Sequence, residues 1–256
     1  MTGHKHDEVS HQRNWNGLAK IGILAGLGLY FTFVIFSGNL DNYINARFAW
    51  LSYLAAVLFY ALALMALIRW LGDHDHADEG HHHDHDHSET SWKVLLIVAF
   101  PLIIGTLIPS QPLGAEAING DVRLSSIPVT NASVIDSDPL ARNILDWLRL
   151  FNTSGNLRAF NGQDLSVIGF VYREPDFPEN YFMVVRFTIS CCVADSSAIG
   201  LPVFVNGIST DDIADGEWVR VEGRFEVGDF QGQTLPIIHL DDITPVAQPD
   251  NPYLNP

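Results

Sequence analysis

Three apolar runs before Pro112 constrain this chain more than any other feature. From Leu18 to Phe36, LAKIGILAGLGLYFTFVIF carries one charge, Lys20, close enough to its start for the long side chain to reach a membrane interface. Phe48 to Leu71, FAWLSYLAAVLFYALALMALIRWL, is longer, with Trp50, Tyr53 and Trp70 near its ends and Arg69 at its exit, where interfaces favour aromatic and basic side chains. Val94 to Ile108 is strongly apolar but contains Pro101 and falls short of the ~20 residues that cross a ~30 Å hydrocarbon core. It reads as a third crossing, extended through Trp92 and toward Leu113, or as a re-entrant or interfacial helix.

A cleaved secretory signal fits the first run poorly, because a second span follows at once and no clear small-residue cleavage site intervenes. Lys5, Arg13 and Lys20 precede the first run, Arg47 alone lies between the first two, and Arg69 and Lys93 flank the next loop. This bias predicts a multi-pass cell-membrane protein with a cytoplasmic N-terminus. Three crossings then leave the loop after the second run in the cytoplasm and everything after about Gln111 outside.

That loop, GDHDHADEGHHHDHDHSET, sets His74, His76, His81, His82, His83, His85 and His87 among Asp73, Asp75, Asp78, Glu79, Asp84 and Asp86. Imidazole ligates zinc, nickel or copper, and neighbouring carboxylates can neutralise the ion or fix the second ring nitrogen. An expression tag is a poor reading, because the run is internal and interrupted by aspartates. A solvated low-complexity linker that binds metal only weakly is the competing one. An ordered catalytic centre is not expected, since that needs ligands on rigid elements.

After the anchor the pattern changes. Residues 113–160 read as an exposed connector followed by a helix: Asp138-Pro139 supplies a cap and a first-turn proline, and Leu140, Ile144, Leu148 and Phe151 share one face. From residue 161 to 247, DLSVIGFVYRE, YFMVVRFTISCCVAD, LPVFVNGI, EWVRVEGRFEVGDF and TLPIIHLDDITPV alternate with period two between turn residues. Five short strands, with Gly223 placed to bend or bulge one of them, suggest an OB-like five-stranded barrel. The expected organisation is therefore an N-terminal tail (1–17), a membrane α-helical anchor of about three helices (18–112) holding the His-rich loop (73–89), the connector, a β-rich soluble domain and a C-terminal tail (248–256).

The formal charge of −16 argues against a nucleic-acid partner, since phosphate recognition needs a basic surface. Two cysteines, adjacent as Cys191-Cys192, form neither a disulfide framework nor a spaced zinc motif. They are poorly placed to join each other, because consecutive Cα atoms lie ~3.8 Å apart and disulfides prefer ~4.4–6.8 Å. Free thiols or metal ligands fit better, with Asp195 as a third donor. In a regular strand the two would face opposite ways, so joint use requires a bulge or a strand end, which Val193-Ala194-Asp195-Ser196 could provide. The bland alternative makes one a small buried apolar residue and the other incidental.

The Pro112-Leu113 exit, the Gly169–Tyr172 run GFVY and above all RFTISCCVADSSAIGLPV from Arg186 to Val203 carry a resemblance to the YcgQ-like family of two-component membrane permease subunits. It covers nearly the whole chain; the histidine tract is not part of it. Its signature positions here are Arg186, Phe187, Cys191, Cys192, Asp195, Gly200 and Leu201. The resemblance implies a subunit beside a polytopic permease-like partner in the lipid bilayer, with a link to metal-ion homeostasis.

Three helices without a mid-membrane acid or base make a poor transporter, so a partner or oligomer is expected, and with the resemblance the leading reading is an accessory or regulatory subunit of a membrane transport complex. Zinc or another transition metal is the expected bound species, and no enzymatic activity is expected. A membrane-anchored thiol metallochaperone or redox protein using Cys191 and Cys192 is the second reading; its weakness is that only His239 remains in the domain to act as base. A membrane-anchored protein-interaction module is the third.

Overall fold

In the computed structural model the described residues are 4–72, 92–118, 122–124, 138–210 and 212–255, so the histidine tract lies outside them. The chain divides into two units: Met1–Leu40 with Ala46–Gln111, and Asp41–Asn45 with Pro112–Pro256.

The first unit is helical. Helix α1 (His4–Phe36) begins ahead of the apolar run, α2 is Trp50–Gly72 and α3 is Trp92–Leu107, with Pro101 inside it. Trp15–Phe36 and Ala46–Gly72 are each long and apolar enough to cross a membrane, whereas α3 is shorter. The unit turns its apolar side chains outward: Leu29, Phe33, Val57, Leu64, Ile97 and Leu107 are all more than half exposed. Exposed apolar side chains in this number suit contact with lipid or another protein. The Thr32 and Tyr60 hydroxyls meet at 3.1 Å between α1 and α2.

The second unit is a six-stranded mixed sheet: β1 (Asp164–Tyr172), β2 (Tyr181–Thr188), β3 (Ser197–Phe204), β4 (Trp218–Phe230), β5 (Gln233–Pro245) and β6 (Tyr253–Leu254). The order is β1-β4-β5-β3-β2-β6, and β1 also pairs with β2, returning the hydrogen bonding to its starting strand. The strand expected to run through the cysteines stops at Thr188, where its pairing with β3 ends at Ser197. The sixth strand falls in the supposed C-terminal tail, where two residues pair parallel with Phe187 and Thr188.

Local chemistry accounts for these elements. In β4 buried Val219, Val221 and Phe225 alternate with exposed Arg220, Glu222 and Arg224, the period of a half-buried strand. Gln231 and Gly232, at φ 52° and 78°, form a turn of the type that joins tightly paired strands, where both central residues need positive φ. The register slips between Glu222 and Gly223, where the sequence placed its bend.

Helix α4 (Ile144–Thr153) starts later than the Asp138-Pro139 signal suggested. Asp138 instead caps a single 3-10 turn, Pro139–Ala141, and Arg142 and Asn143 are extended. Asn143 then opens the helix through a reciprocal capping box with Asp146, two side chains satisfying two otherwise unpaired backbone N–H groups. Ile144, Leu148 and Phe151 are buried as expected, but Leu140 is 55% exposed because it precedes the helix. Trp147, fully buried, packs edge-on against Phe225 of β4 at 4.8 Å and joins the helix to the core.

Candidate functional site

The seven signature positions separate by role. Phe187 and Leu201 are core side chains, and Gly200 lies where a Cβ would come within 2.8 Å of Met183 Cε. Arg186 is 8% exposed on β2, its guanidinium 5.5 Å from the Trp218 ring, with Nε donating to Pro252 O at 3.3 Å and Nη2 to Asn251 O. Burial lowers its pKa to about 10, still charged at neutral pH. No carboxylate is among these contacts; the arginine clamps the backbone leading into β6. These four build the fold around the turn that carries the other three.

The turn begins where β2 ends. Asp195 closes it: Oδ1 accepts the Ser190 N–H at 3.0 Å and Oδ2 the Cys191 N–H at 2.8 Å. With the backbone wrapped around one carboxylate, the thiols no longer alternate as in a strand, and their sulfurs lie 3.7 Å apart. That is far beyond the ~2.05 Å of a disulfide, so these are two separate thiols, Cys191 exposed and Cys192 half-buried.

A second segment seats this turn, and nothing in the sequence singled it out. Residues 41–45, between α1 and α2, belong to the β unit. Ile44 bridges antiparallel to Cys192, the Asn45 N–H donates to Cys191 O at 3.1 Å, and the Val193 N–H donates to Tyr43 O at 2.9 Å. Asn45 is 6% exposed, and its Nδ2 donates to both Ile189 O and Ser190 O at 3.1 Å. Tyr253 of β6 adds a tie, accepting from Leu113 N at 2.9 Å and donating to Asn42 O at 3.3 Å.

The electrostatics follow from this seat. The Cys191 pKa is pushed up to about 11, first by the hydrogen bond to Asp195 and then by that to Cys192, with burial and the carboxylate's charge adding. Burial would raise the Asp195 carboxyl, but hydrogen bonds from the Cys191 thiol and from the N–H groups of Cys191, Ser190 and Cys192 outweigh it and hold it below its ordinary value. A thiol kept protonated is a poor nucleophile. The same negative neighbour that disfavours a thiolate attracts a cation.

The only histidine of the β domain is remote from this turn. His239 pairs with Phe204 at one end of β3, while the thiols lie beyond Ser197 at the other, roughly 20 Å away at ~3.3 Å per residue. Its nearest ionic neighbour is Glu226, at 3.3 Å. The Cys-His arrangement on which a thiol enzyme would depend is therefore not formed by this pair. Among the described residues no three His, Cys, Asp or Glu side chains converge as metal ligands, and the Asp195 oxygens accept from backbone amides and from the Cys191 thiol. His74, His76, His81, His82, His83, His85 and His87 lie outside the described residues.

Comparison with known proteins bears on the whole chain. Residues 19–121 match the DUF1980 N-terminal domain and residues 141–256 the DUF1980 C-terminal domain. The chain belongs to the DUF1980 family. Among its relatives are a Streptococcus mutans protein named "Putative two-component membrane permease complex subunit" and the Bacillus subtilis "UPF0703 protein YcgQ". Each is 26% identical, across 91% of this chain and 97% of the relative. A small single-stranded DNA-binding protein from Streptomyces coelicolor covers 34% of this chain at 18% identity, with a TM-score of 0.25, too distant to bear on the fold. The resemblance read from the RFTISCCVAD segment and its surroundings is thus that of the family.

Proposed function

We propose that this DUF1980 chain is the accessory subunit of a two-component membrane permease complex, anchored by three transmembrane helices beside a polytopic partner and handling a transition-metal ion of the zinc class. The observation that carries the subunit reading is near end-to-end similarity to a relative so named. The β unit is read as an OB-like barrel, supported by the β1–β2 pairing that returns the sheet to its first strand.

Chain connectivity supports the third crossing. The β unit contains residues 41–45 as well as everything from Pro112 onward, which supports a reading in which the intervening chain leaves one side of the bilayer and returns to it. The proposed topology gives that stretch two crossings, α2 and α3. The 16 residues of α3 rise ~24 Å, most of a ~30 Å core. On this reading the histidine tract is cytoplasmic and the β unit lies outside, an orientation that rests on the bias of basic residues in the sequence.

The alternative of a membrane-anchored thiol metallochaperone or redox protein keeps the same dithiol. The distance of His239 leaves thiol attack without the imidazole base on which it would depend, which favours the cation-binding reading. A pure protein-interaction module would leave metal handling untouched by changes at either donor cluster.

Two measurements test this reading. Purification of the tagged full chain from detergent-solubilised membranes should yield a polytopic membrane protein in fixed stoichiometry; recovery of the chain alone refutes the subunit assignment. Metal content should fall separately on deletion of residues 73–89 and on the Cys191→Ser, Cys192→Ser double change. Neither change affecting metal content would leave a docking subunit with no metal role.

A further inference from the structure

We infer that Cys191 and Cys192 form a bidentate seat for one tetrahedral, thiophilic d10 divalent cation, and that the loop between the first two helices, through Asn45, is part of that seat. The inference rests on the metal-handling reading above and adds ion class, geometry and a positioning residue.

The distance between the sulfurs selects the geometry. Two thiolates bound to a tetrahedral zinc at ~2.3 Å are held ~3.8 Å apart, and a linear two-coordinate ion with bonds of that length would need ~4.6 Å. The observed 3.7 Å is close to the tetrahedral value and well short of the linear one. Cys191 is exposed and Cys192 half-buried, so an ion can reach them from solvent.

The seat is held from both sides of its backbone. Asp195 takes the N–H groups of Ser190 and Cys191, while Asn45 takes the carbonyls of Ile189 and Ser190 with its amide and that of Cys191 with its N–H. Ligands fixed by packed, hydrogen-bonded supports bind more tightly than those on a free loop, as supporting partners do at known metal centres. Asn45 touches no sulfur in these contacts and is a positioning residue. With two protein donors, the ion keeps positions open for water or for ligands from a partner, as suits a site that passes metal on rather than stores it.

Cadmium reports on this seat in the intact chain, because thiolate-to-cadmium charge-transfer absorption arises from sulfur ligands and not from the imidazoles or carboxylates of the histidine tract. Full-length protein in detergent, reduced and titrated with Cd2+, should show the band saturating at one ion per chain, with both thiols protected from maleimide. Cys191→Ser and Cys192→Ser should each weaken binding at least tenfold. Asn45→Asp, close in shape but lacking the amide donor, should weaken it at least tenfold while thermal unfolding shows the β unit still folded.

Absence of the band in the wild-type chain overturns the seat; zinc held by the histidine tract and co-purification of the permease partner would still stand. One cadmium per two chains overturns the intramolecular geometry. Unchanged affinity in a folded Asn45→Asp protein overturns the loop's part.

Discussion

Gly223→Ala adds one methyl group at the slip in the β4–β5 ladder. The new Cβ would stand 2.2 Å from the carbonyl oxygen of His239 and 3.1 Å from Ile238 Cγ2, whereas ordinary contact begins near 3.4 Å. The shortfall to the oxygen is 3.4 − 2.2 = 1.2 Å, and backbone cannot swing aside as a side-chain tip can. Opening strands spaced ~4.8 Å apart by ~1 Å breaks the adjoining ladder hydrogen bonds, each worth ~1 kcal/mol net. With looser packing of Ile238 and Leu240, the expected loss is ~2–4 kcal/mol, in the range of strain at a tightly packed backbone position. For a domain of this size that lowers Tm by roughly 8–15 °C. The control is Gly155→Ala, where a Cβ meets nothing within 4 Å. It should stay within ~0.5 kcal/mol of wild type. Thermal scans of the full chain in detergent, followed by near-ultraviolet circular dichroism, separate the two. A Gly223→Ala midpoint as close to wild type as the control's would refute the account of the slip as a backbone contact that only glycine permits.

Asp195→Asn should lower the Cys191 pKa from its raised position near 11, because the hydrogen-bonded carboxylate is the leading cause of the shift; alkylation at pH 8 then becomes several-fold faster, and an unchanged rate refutes that cause. Since the Asp195 pKa is depressed in the folded chain, its hold on the turn is present above the unfolded value and is lost only as pH falls through the lower folded value. Equilibrium protection of the Ser190 and Cys191 amides in hydrogen exchange should therefore persist through the ordinary carboxylate titration range and fall below it. Arg186→Lys keeps the charge but gives up the fork that reaches two carbonyls and the stack on Trp218. A loss of ~1–3 kcal/mol and faster proteolysis after Val246 are expected, and an intact tail under protease would show that β6 does not depend on the clamp.

What could be read from the sequence was local. Alternating Val219, Val221 and Phe225 announce β4 by themselves, and the glycine inside that alternation marks its irregularity, because period and bulge are written in neighbouring residues. The dithiol turn was legible for the same reason: Asp195 lies close enough to Cys191 in sequence to reach its N–H. The start of α4 was misplaced because Asp138-Pro139 and Asn143 are both good openings, and choosing between them depends on which lets Trp147 reach Phe225. The two-residue β6 carries no periodic signal; its place is set by Arg186 and by pairing with β2 from far along the chain.

Asn45 was illegible for a deeper reason. Between two apolar helices the segment Asp41-Asn42-Tyr43-Ile44-Asn45 reads as an ordinary polar loop, and only a contact spanning more than 140 positions turns it into part of the site. That placement changes what the loop can do. Its backbone is bonded on both sides of Cys192, and covalent chain leads from it into α1 and α2 within a few residues. An ion held by the two sulfurs sits on the same peptide groups that Asn45 and Tyr43 hold. The seat is thus built from two stretches of chain far apart in sequence, and a substitution in the short loop between the first two helices can alter it without touching a sulfur.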